Sequence, residues 1–169
     1  RPNMATMLGF IATDARVSVP LLKSAAAHAA RHSFNCITVD GDTSTNDACV
    51  VMASGCSTAP EITADSEHYA IFADALMSVC KQLAEAIVRD GEGATKLMRI
   101  VVKEALHDEE AVRVGKTIAH SPLVKTAFFA SDPNWGRILA AVGRSGVESM
   151  VLENVQIFLD DVCIVRNGG

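Results

Sequence analysis

Hydrophobic residues recur with two different periods along this chain, which predicts both helices and strands. In residues 66–89 the apolar side chains recur every three or four positions, so one face of a long helix is expected to be buried. Ser18 and Pro20 open another apolar segment and suit the N-cap and the first turn of a helix. Helical segments are therefore predicted within residues 17–34, 66–89, 108–120 and 135–143.

Other segments carry the short apolar runs and the two-residue alternation that are typical of strands. Strands are predicted at residues 4–12, 35–39, 48–55 and 95–105, and as a hairpin of residues 155–159 and 162–166. Asp160 and Asp161 occupy the turn of this hairpin. Because helices and strands alternate while two strands pair as a hairpin, we expect a layered α/β (α+β) fold with a mixed sheet. The length of 169 residues suits one domain.

Composition and charge exclude two broad classes of protein. The formal net charge is −5 and the pI is near 5.5, which argues against a nucleic-acid binder with a basic face. No long uninterrupted apolar run exists, so no transmembrane helix is expected. No signal peptide is visible, and a cytoplasmic location is expected. Aromatic residues make up only 5% of the chain, so we expect alanine and other small residues to fill much of the core.

Metal chemistry is not expected from the cysteines, the histidines or the acidic loop. The five cysteines include no C-x-x-C pair, and we expect reduced, buried thiols. His28 and His32 lie four residues apart, but Ala29 stands where a metalloprotease helix carries glutamate. The loop "DGDTSTND" (residues 40–47) lacks the glycine and glutamate of a calcium loop. It is either an acidic turn or a loop whose side chains brace a neighbouring site.

A threonine stands within the apolar run of "RPNMATML" at the start of the sequence. A buried hydroxyl needs a hydrogen-bond partner, so Thr6 is either a strand residue with a satisfied hydroxyl or a residue with a chemical role. A threonine acts as a nucleophile when its own α-amino group, freed by cleavage of the preceding peptide bond, serves as the base. The run taken alone favours the strand interpretation.

Two later motifs also carry two interpretations each. In "DGEGATK", Glu92 either belongs to the turn after a helix or is a carboxylate that its glycine neighbours hold toward an ammonium group. In "SDPNWGR", composition favours a structural role, with Trp135 anchored in the core and Asp132 capping the next helix.

Four motifs, in this order and at this spacing, closely resemble the bifunctional ornithine acetyltransferase / glutamate N-acetyltransferase family of arginine biosynthesis. They are "RPNMATML", "DGDTSTND", "DGEGATK" and "SPLVKTAFFASDPNWGRILAAVGRSG", and the resemblance covers essentially the whole chain. It implies a layered fold of the N-terminal-nucleophile type, as in related aminopeptidases. It also implies a precursor that cuts itself between Ala5 and Thr6, so that residues 1–5 end an α chain and residues 6–169 belong to a β chain.

The resemblance further implies a site and a reaction. Thr6 would be the nucleophile and its freed amine the base, and Glu92 would bind substrate together with Thr6. Four side chains would support the site: Asn46, Asp47, Asn134 and Arg137. The acetyl group would pass from N-acetyl-L-ornithine to Thr6 and then to L-glutamate, with ping-pong kinetics. No metal or other cofactor is implied, and whether acetyl-CoA also serves as donor is left open.

The resemblance also implies a protein partner. The sequence departs from the family pattern in several places. The expected partner is the α chain of the same precursor, in an α2β2 heterotetramer, without nucleic acid or membrane. The sequence lacks the α half and the C-terminal tail that supply further site residues in the family, so this chain alone is expected to be inactive. Ala48 stands where the family often has threonine.

Two rival interpretations stay open: an N-terminal-nucleophile aminopeptidase or amidohydrolase, and an uncleaved, non-enzymatic paralogue.

Overall fold

A computed structural model describes residues 7–42 and 46–169 of the chain. The chain divides into two compact units, Arg1–Glu92 and Gly93–Gly169. The sequence predicts a single domain over residues 1–169. The division into compact units does not test this prediction.

The first unit combines a parallel strand pair with two helices. In chain order its elements are β1 (Leu8–Thr13), α1 (Val19–Arg31), β2 (Ala48–Ala53) and α2 (Glu67–Arg89). The strands β1 and β2 pair in parallel, in a continuous register from Leu8↔Ala48 to Thr13↔Ala53. Because parallel neighbours cannot be joined by a tight turn, α1 forms the crossover between them. The helices and the two strands predicted for these regions are confirmed for the described residues.

Small side chains line the contact between the two helices of the first unit. Ala25 and Ala29 of α1 and Ala84 of α2 are almost fully buried, and the ring of Phe34 is completely buried. The buried core consists of Met7, Ala25, Ala29, Phe34, Leu76, Cys80 and Ala84. Alanine therefore fills much of this core, as the low aromatic content predicts.

Two local predictions in the first unit differ from the structure. Residues 35–39 do not form a strand; a 3₁₀ turn occupies Phe34–Cys36 instead. The Cys36 N–H donates to the Ser33 carbonyl at 2.9 Å, and the Ser33 hydroxyl donates to a carbonyl of α1 at 2.6 Å. These bonds keep the backbone in a helical turn through Cys36, and the extended backbone at Ile37 joins no strand. Ser18 occupies the predicted N-cap position of α1, but its side chain makes no capping hydrogen bond.

The second unit packs three helices with a β-hairpin. Its elements are α3 (Asp108–Ala119), α4 (Pro122–Phe129), α5 (Trp135–Gly143), β3 (Ile157–Leu159) and β4 (Val162–Val165). The strands β3 and β4 are antiparallel, and Asp160 in their turn adopts a positive φ of 50°. The buried core consists of Val114, Ile118, Val124, Ile138, Ala141, Val142, Ile157 and Val165. The predictions of α3, α5 and the hairpin are confirmed.

The sequence analysis does not predict α4, although two residues mark its start. Pro122 lies in the first turn, and the Ser121 hydroxyl accepts a hydrogen bond from the Val124 N–H at 3.4 Å. The apolar residues of this short helix stand in two consecutive triplets, residues 122–124 and 127–129, so no clear helical period is visible in "PLVKTAFF".

Residues 95–105 do not form the strand that their alternation predicts. Met98, Ile100 and Val102 pack against the core of the second unit, whereas the residues between them are exposed. The alternation therefore reflects real burial of one face. A strand also needs hydrogen bonds to a neighbour, and the sheets formed by the described residues contain no such neighbour for this segment.

The architecture confirms the predicted fold class, since the chain is a mixed α/β structure, but the described strands form two separate pairs instead of one mixed sheet. The parallel pair lies in the first unit and the antiparallel pair in the second. Within the described ranges, no helix combines the length and the apolar character needed to cross a membrane.

Replacing Phe34 with alanine is expected to lower the free energy of unfolding of the full-length protein by about 3–5 kcal/mol. The ring is 0% exposed, so its loss leaves a cavity in the core of the first unit. Denaturant unfolding followed by circular dichroism measures the change. Phe129→Ala is the control, because that ring is 69% exposed. Equal losses at the two positions would contradict the placement of Phe34 in the core.

Candidate active site

The nucleophile predicted from the sequence, Thr6, and the predicted cleavage site between Ala5 and Thr6 lie outside the described residues. The description begins at Met7, the residue that follows Thr6 in the chain. The surroundings of Met7 therefore define what the structure contributes to the candidate site.

Two hydrogen bonds hold the backbone of Met7 against the start of β2. The Met7 N–H donates to the Asp47 carboxylate oxygen Oδ1 at 2.8 Å. The Met7 carbonyl accepts from the Ala48 N–H at 3.1 Å. The Met7 side chain is only 6% exposed, so it is also fixed by the core. The backbone directly after Thr6 is thus held on both of its polar groups and by its side chain.

The acidic loop before β2 forms a turn near its start and a contact with Met7 at its end. Asp40 shapes a turn, since its carboxylate accepts from the Asp42 N–H at 2.8 Å and its carbonyl accepts from the Thr38 hydroxyl at 2.6 Å. Asp47, at the other end of the loop, is half-buried and binds Met7. Asn46 is exposed. Of the two predicted supporting residues in this loop, Asp47 is the one with a described contact to Met7, the residue that follows Thr6 in the chain.

Glu92 lies in the turn that follows α2 and is exposed. The helix ends at Arg89, whose guanidinium is paired with Glu85 one turn earlier at 2.6 Å. The N–H of Asp90 donates to the Ala86 carbonyl at 2.9 Å, and Gly93 adopts a positive φ of 68° that favours glycine. The turn interpretation of "DGEG" is therefore confirmed as geometry, and it leaves the Glu92 carboxylate open to solvent.

Asn134 and Arg137 act together within the second unit. The Asn134 side-chain oxygen caps α5 by accepting from the Arg137 N–H at 3.2 Å. The Arg137 guanidinium donates to the Leu123 carbonyl at 2.9 Å and to the Thr126 hydroxyl at 3.1 Å. Both acceptors belong to α4, so Arg137 ties α5 to α4. These contacts give the motif "DPNWGR" a bracing role inside its own unit.

Two structural expectations for this motif need correction. Asn134, and not Asp132, caps α5; Asp132 instead accepts from the Asn134 side-chain amide at 3.0 Å. Trp135 is 47% exposed, so it does not anchor the core. As the first residue of α5 it stands at the helix start, where half of its ring surface faces away from the protein.

The cysteines differ in burial. All five are free, but Cys36 and Cys56 are exposed, so the prediction of buried thiols is wrong for these two. Burial raises the pKa of the Cys80 thiol to about 11, with a further contribution from Cys49. The pKa of Cys49 is also raised by burial. Both thiols are therefore protonated near neutral pH and are poor nucleophiles.

The ring of His28 on α1 lies beside the ring of His32, the C-cap residue of the same helix, at a tilt of 53°. The ring centroids of His28 and His32 are 4.7 Å apart. Among the described residues, no group of three or more potential metal ligands comes together.

These observations define a mixed α/β protein whose candidate nucleophile directly precedes Met7, the anchored residue just before the first strand. The ArgJ family model matches residues 1–169. The chain therefore belongs to the ArgJ family, and the resemblance inferred from its motifs is confirmed.

Individual relatives are highly similar over the whole chain. The chain is 65% identical over 167 residues to the arginine biosynthesis bifunctional protein ArgJ of Methylococcus capsulatus, covering 99% of this chain and 41% of that protein. It is 54% identical over 169 residues to the protein of the same name from Pseudomonas fluorescens, covering 99% and 42%. The chain thus spans about two fifths of the length of the curated relatives it matches.

The fold of this chain is also closely similar to that of a solved structure. The crystal structure of the arginine biosynthesis bifunctional protein ArgJ from Bacillus halodurans matches with a TM-score of 0.92 and 45% identity. The match covers 96% of this chain and 76% of that chain. The fold described above is therefore the fold of the family.

The contact that fixes Met7, the residue after Thr6, has no clear signal in the sequence. Asp47 was singled out only through the family motif, and nothing in the sequence pairs it with Met7, which lies forty residues away. The one available signal is its position directly before a buried strand. That position matters only once the register of β1 and β2 is known.

Asn134→Ala is expected to lower the free energy of unfolding by about 1 kcal/mol, because α5 loses its N-cap. Asn134→Asp is the matched control, since its carboxylate keeps an acceptor at the helix start. Thermal unfolding of the full-length protein compares the two variants. A loss as large with aspartate as with alanine would contradict the capping role.

Proposed function

We propose that this chain is the nucleophile-bearing part of an enzyme that transfers an acetyl group from N-acetyl-L-ornithine to L-glutamate. The observation that carries the proposal is the family match over residues 1–169, which includes the "MAT" motif at its start. The similar proteins from Methylococcus and Pseudomonas are named bifunctional proteins of arginine biosynthesis. The anchored backbone at Met7 supports the proposal, because it fixes the residue that follows the proposed nucleophile in the chain.

The proposed activation is self-cleavage between Ala5 and Thr6. The Thr6 hydroxyl oxygen attacks the Ala5 carbonyl carbon, the C–N bond breaks, and the nitrogen takes up a proton. Water then hydrolyses the resulting ester and restores the hydroxyl. The product is a free α-amino group on Thr6, whose ordinary pKa of about 7.7–8.0 lets it accept a proton near neutral pH.

The proposed acetyl transfer takes place in two balanced half-reactions. The Thr6 oxygen attacks the acetyl carbonyl of N-acetylornithine, its proton passes through the Thr6 amine to the departing nitrogen, and ornithine leaves. The amino group of glutamate then attacks the acetyl ester, and its proton returns to the Thr6 oxygen. This sequence predicts ping-pong kinetics and requires no metal or other cofactor. Acetyl-CoA fits the first half-reaction as an alternative donor, with a thiol as leaving group.

Glu92 is proposed to bind the side-chain ammonium group of ornithine. A carboxylate forms strong charge-assisted hydrogen bonds with an ammonium group, and the turn after α2 leaves Glu92 exposed to a ligand. Asn46 and Asp47 are proposed to support the site from the loop before β2. Asn134 and Arg137 are proposed to support it indirectly, because their contacts brace α5 against α4.

The proposed partner is an α chain from the same precursor, assembled with the β chain as α2β2. One face of the parallel strand pair supports such a partner, because its apolar side chains are exposed. Leu8 and Phe10 of β1 are 64% and 66% exposed, and Val50 and Met52 of β2 are 39% and 49% exposed. Parallel sheets in proteins are normally covered on both faces. The relatives contain more than enough additional chain to supply this cover.

The proposed location is the cytoplasm. A reducing compartment suits a chain with five free thiols, two of them exposed. The substrates of the proposed reaction are small amino-acid derivatives, and the proposal includes neither a nucleic acid nor a membrane as partner.

The first test is the intact mass and N-terminal sequence of the chains made from the complete gene. We expect a β chain that begins at Thr6. Given N-acetylornithine alone, this chain should gain the mass of one acetyl group on Thr6, and glutamate should then remove it. Thr6→Ala is the control, because it removes the attacking oxygen and should leave the precursor uncut and unacetylated.

The other outcomes identify the rival functions. A chain that stays whole across Ala5 and Thr6 would overturn the proposal and favour the non-enzymatic paralogue. A cut chain that hydrolyses amides and loses the acyl group to water without glutamate would favour the aminopeptidase or amidohydrolase.

Phe10→Glu is expected to weaken the association of the two chains by roughly tenfold or more, because it places a charge on the face proposed to be covered. Sedimentation of the processed full-length protein over a dilution series measures the change. Phe158→Glu is the control, since Phe158 is also exposed, at 52%, but lies on β3 in the second unit. Unchanged association in the Phe10 variant would contradict the proposed cover.

A further inference from the structure

The Asp47 carboxylate makes a charge-assisted hydrogen bond to one particular peptide group. Its oxygen Oδ1 lies 2.8 Å from the Met7 nitrogen, in a half-buried position. Such bonds are about twice as strong as those between neutral groups. The peptide group that is held joins Thr6 to Met7, the first peptide bond after the proposed cleavage site.

The Met7 N–H lies just before the first pair of the β1–β2 ladder, and a side chain binds it there instead of a strand carbonyl. The parallel ladder of β1 and β2 begins at Leu8↔Ala48, and the Ala48 N–H already binds the Met7 carbonyl at 3.1 Å. Asp47 directly precedes β2, and Met7 directly precedes β1. The carboxylate therefore extends the hydrogen bonding by one step beyond the end of the ladder, on the side that leads to Thr6.

Covalent geometry carries the effect of this bond to the neighbouring residue. A peptide group is planar, so the direction of the Met7 N–H also fixes the plane that contains the α-carbon of the preceding residue. Standard bond lengths keep the nitrogens of consecutive residues within about 4 Å of each other. The Asp47 oxygen thus acts within one peptide unit of the proposed nucleophile and base, whatever the conformation of Thr6.

We propose that Asp47 is the positioning residue of the N-terminal nucleophile: its carboxylate oxygen holds the peptide N–H that follows Thr6 and thereby orients Thr6 for attack. This inference rests on the proposed function. Asp47 makes no chemical step of its own, and its part is to hold an acceptor oxygen at the Met7 N–H. A misplacement of about 1 Å at a reacting group is enough to slow a reaction by about 100-fold.

The test compares three variants of the full-length precursor. Asp47→Ala removes the acceptor and should slow self-cleavage by about 100-fold. Asp47→Asn keeps an acceptor oxygen of the same reach and should retain most of the wild-type rate. Asp42→Ala removes a carboxylate from the same loop, where Asp42 is exposed, and should cleave at the wild-type rate. Mass spectrometry over time follows the appearance of the cut β chain.

A second measurement separates positioning from general stability. The rate of Thr6 acetylation is measured on the processed fraction of each variant over a range of N-acetylornithine concentrations. Positioning predicts that Asp47→Ala lowers the maximal acetylation rate while the half-saturating concentration changes little. Asp47→Ser, whose hydroxyl is too short to reach the Met7 N–H, replaces the alanine variant if the latter does not fold.

The outcomes distinguish this inference from the proposed function. A wild-type rate in Asp47→Ala, or an asparagine variant as slow as the alanine variant, would overturn the positioning role while leaving the acetyltransferase proposal intact. A wild-type precursor that never cleaves would overturn both. Slow cleavage in the alanine variant with rescue by asparagine supports the assignment.

Discussion

The parallel pairing of β1 with β2 is the interaction on which the candidate site depends. It brings together two chain segments forty residues apart, so that Asp47 reaches the N–H of Met7. A parallel pair requires a long crossover, and here α1 and the loop after it supply that connection. The alanines of α1 let this crossover pack closely against α2. The core and the crossover thus hold in place the strand that directly follows the proposed nucleophile.

Much of this fold could be predicted from the sequence because several elements carry a clear period. The long helix α2 shows regular apolar spacing, and β1 and β2 are short apolar runs with breaks on either side. Prediction fails where the local sequence pattern suggests a strand but the tertiary structure provides no neighbouring strand. Buried and exposed side chains alternate in residues 95–105, as the sequence predicts. No strand among the described residues pairs with this segment, so it forms no sheet. Residues 35–39 read as a strand, but the end of α1 continues into a 3₁₀ turn.

The candidate site was predictable as a set of residue types and much less as a set of contacts. The motifs single out Thr6, Glu92 and Asp47 as candidates, because each stands in a sequence pattern that resembles the family. They do not reveal which backbone group Asp47 binds, since that follows from the strand register. Nor do they reveal that Arg137 is engaged with α4. A residue in such a motif can therefore serve internal packing or contact a substrate, and the geometry is needed to tell the two roles apart.

The strand β1 links the two halves of the proposed function. Its inner face packs on the core of the first unit, its outer face presents Leu8 and Phe10, and its N-terminal end is held through Met7. A partner that covers the outer face would bear on the same strand that Asp47 fixes at its start. Burying those side chains would stiffen β1 and therefore the peptide that follows Thr6. Chain assembly and nucleophile positioning are on this view mechanically coupled, because they share one six-residue strand.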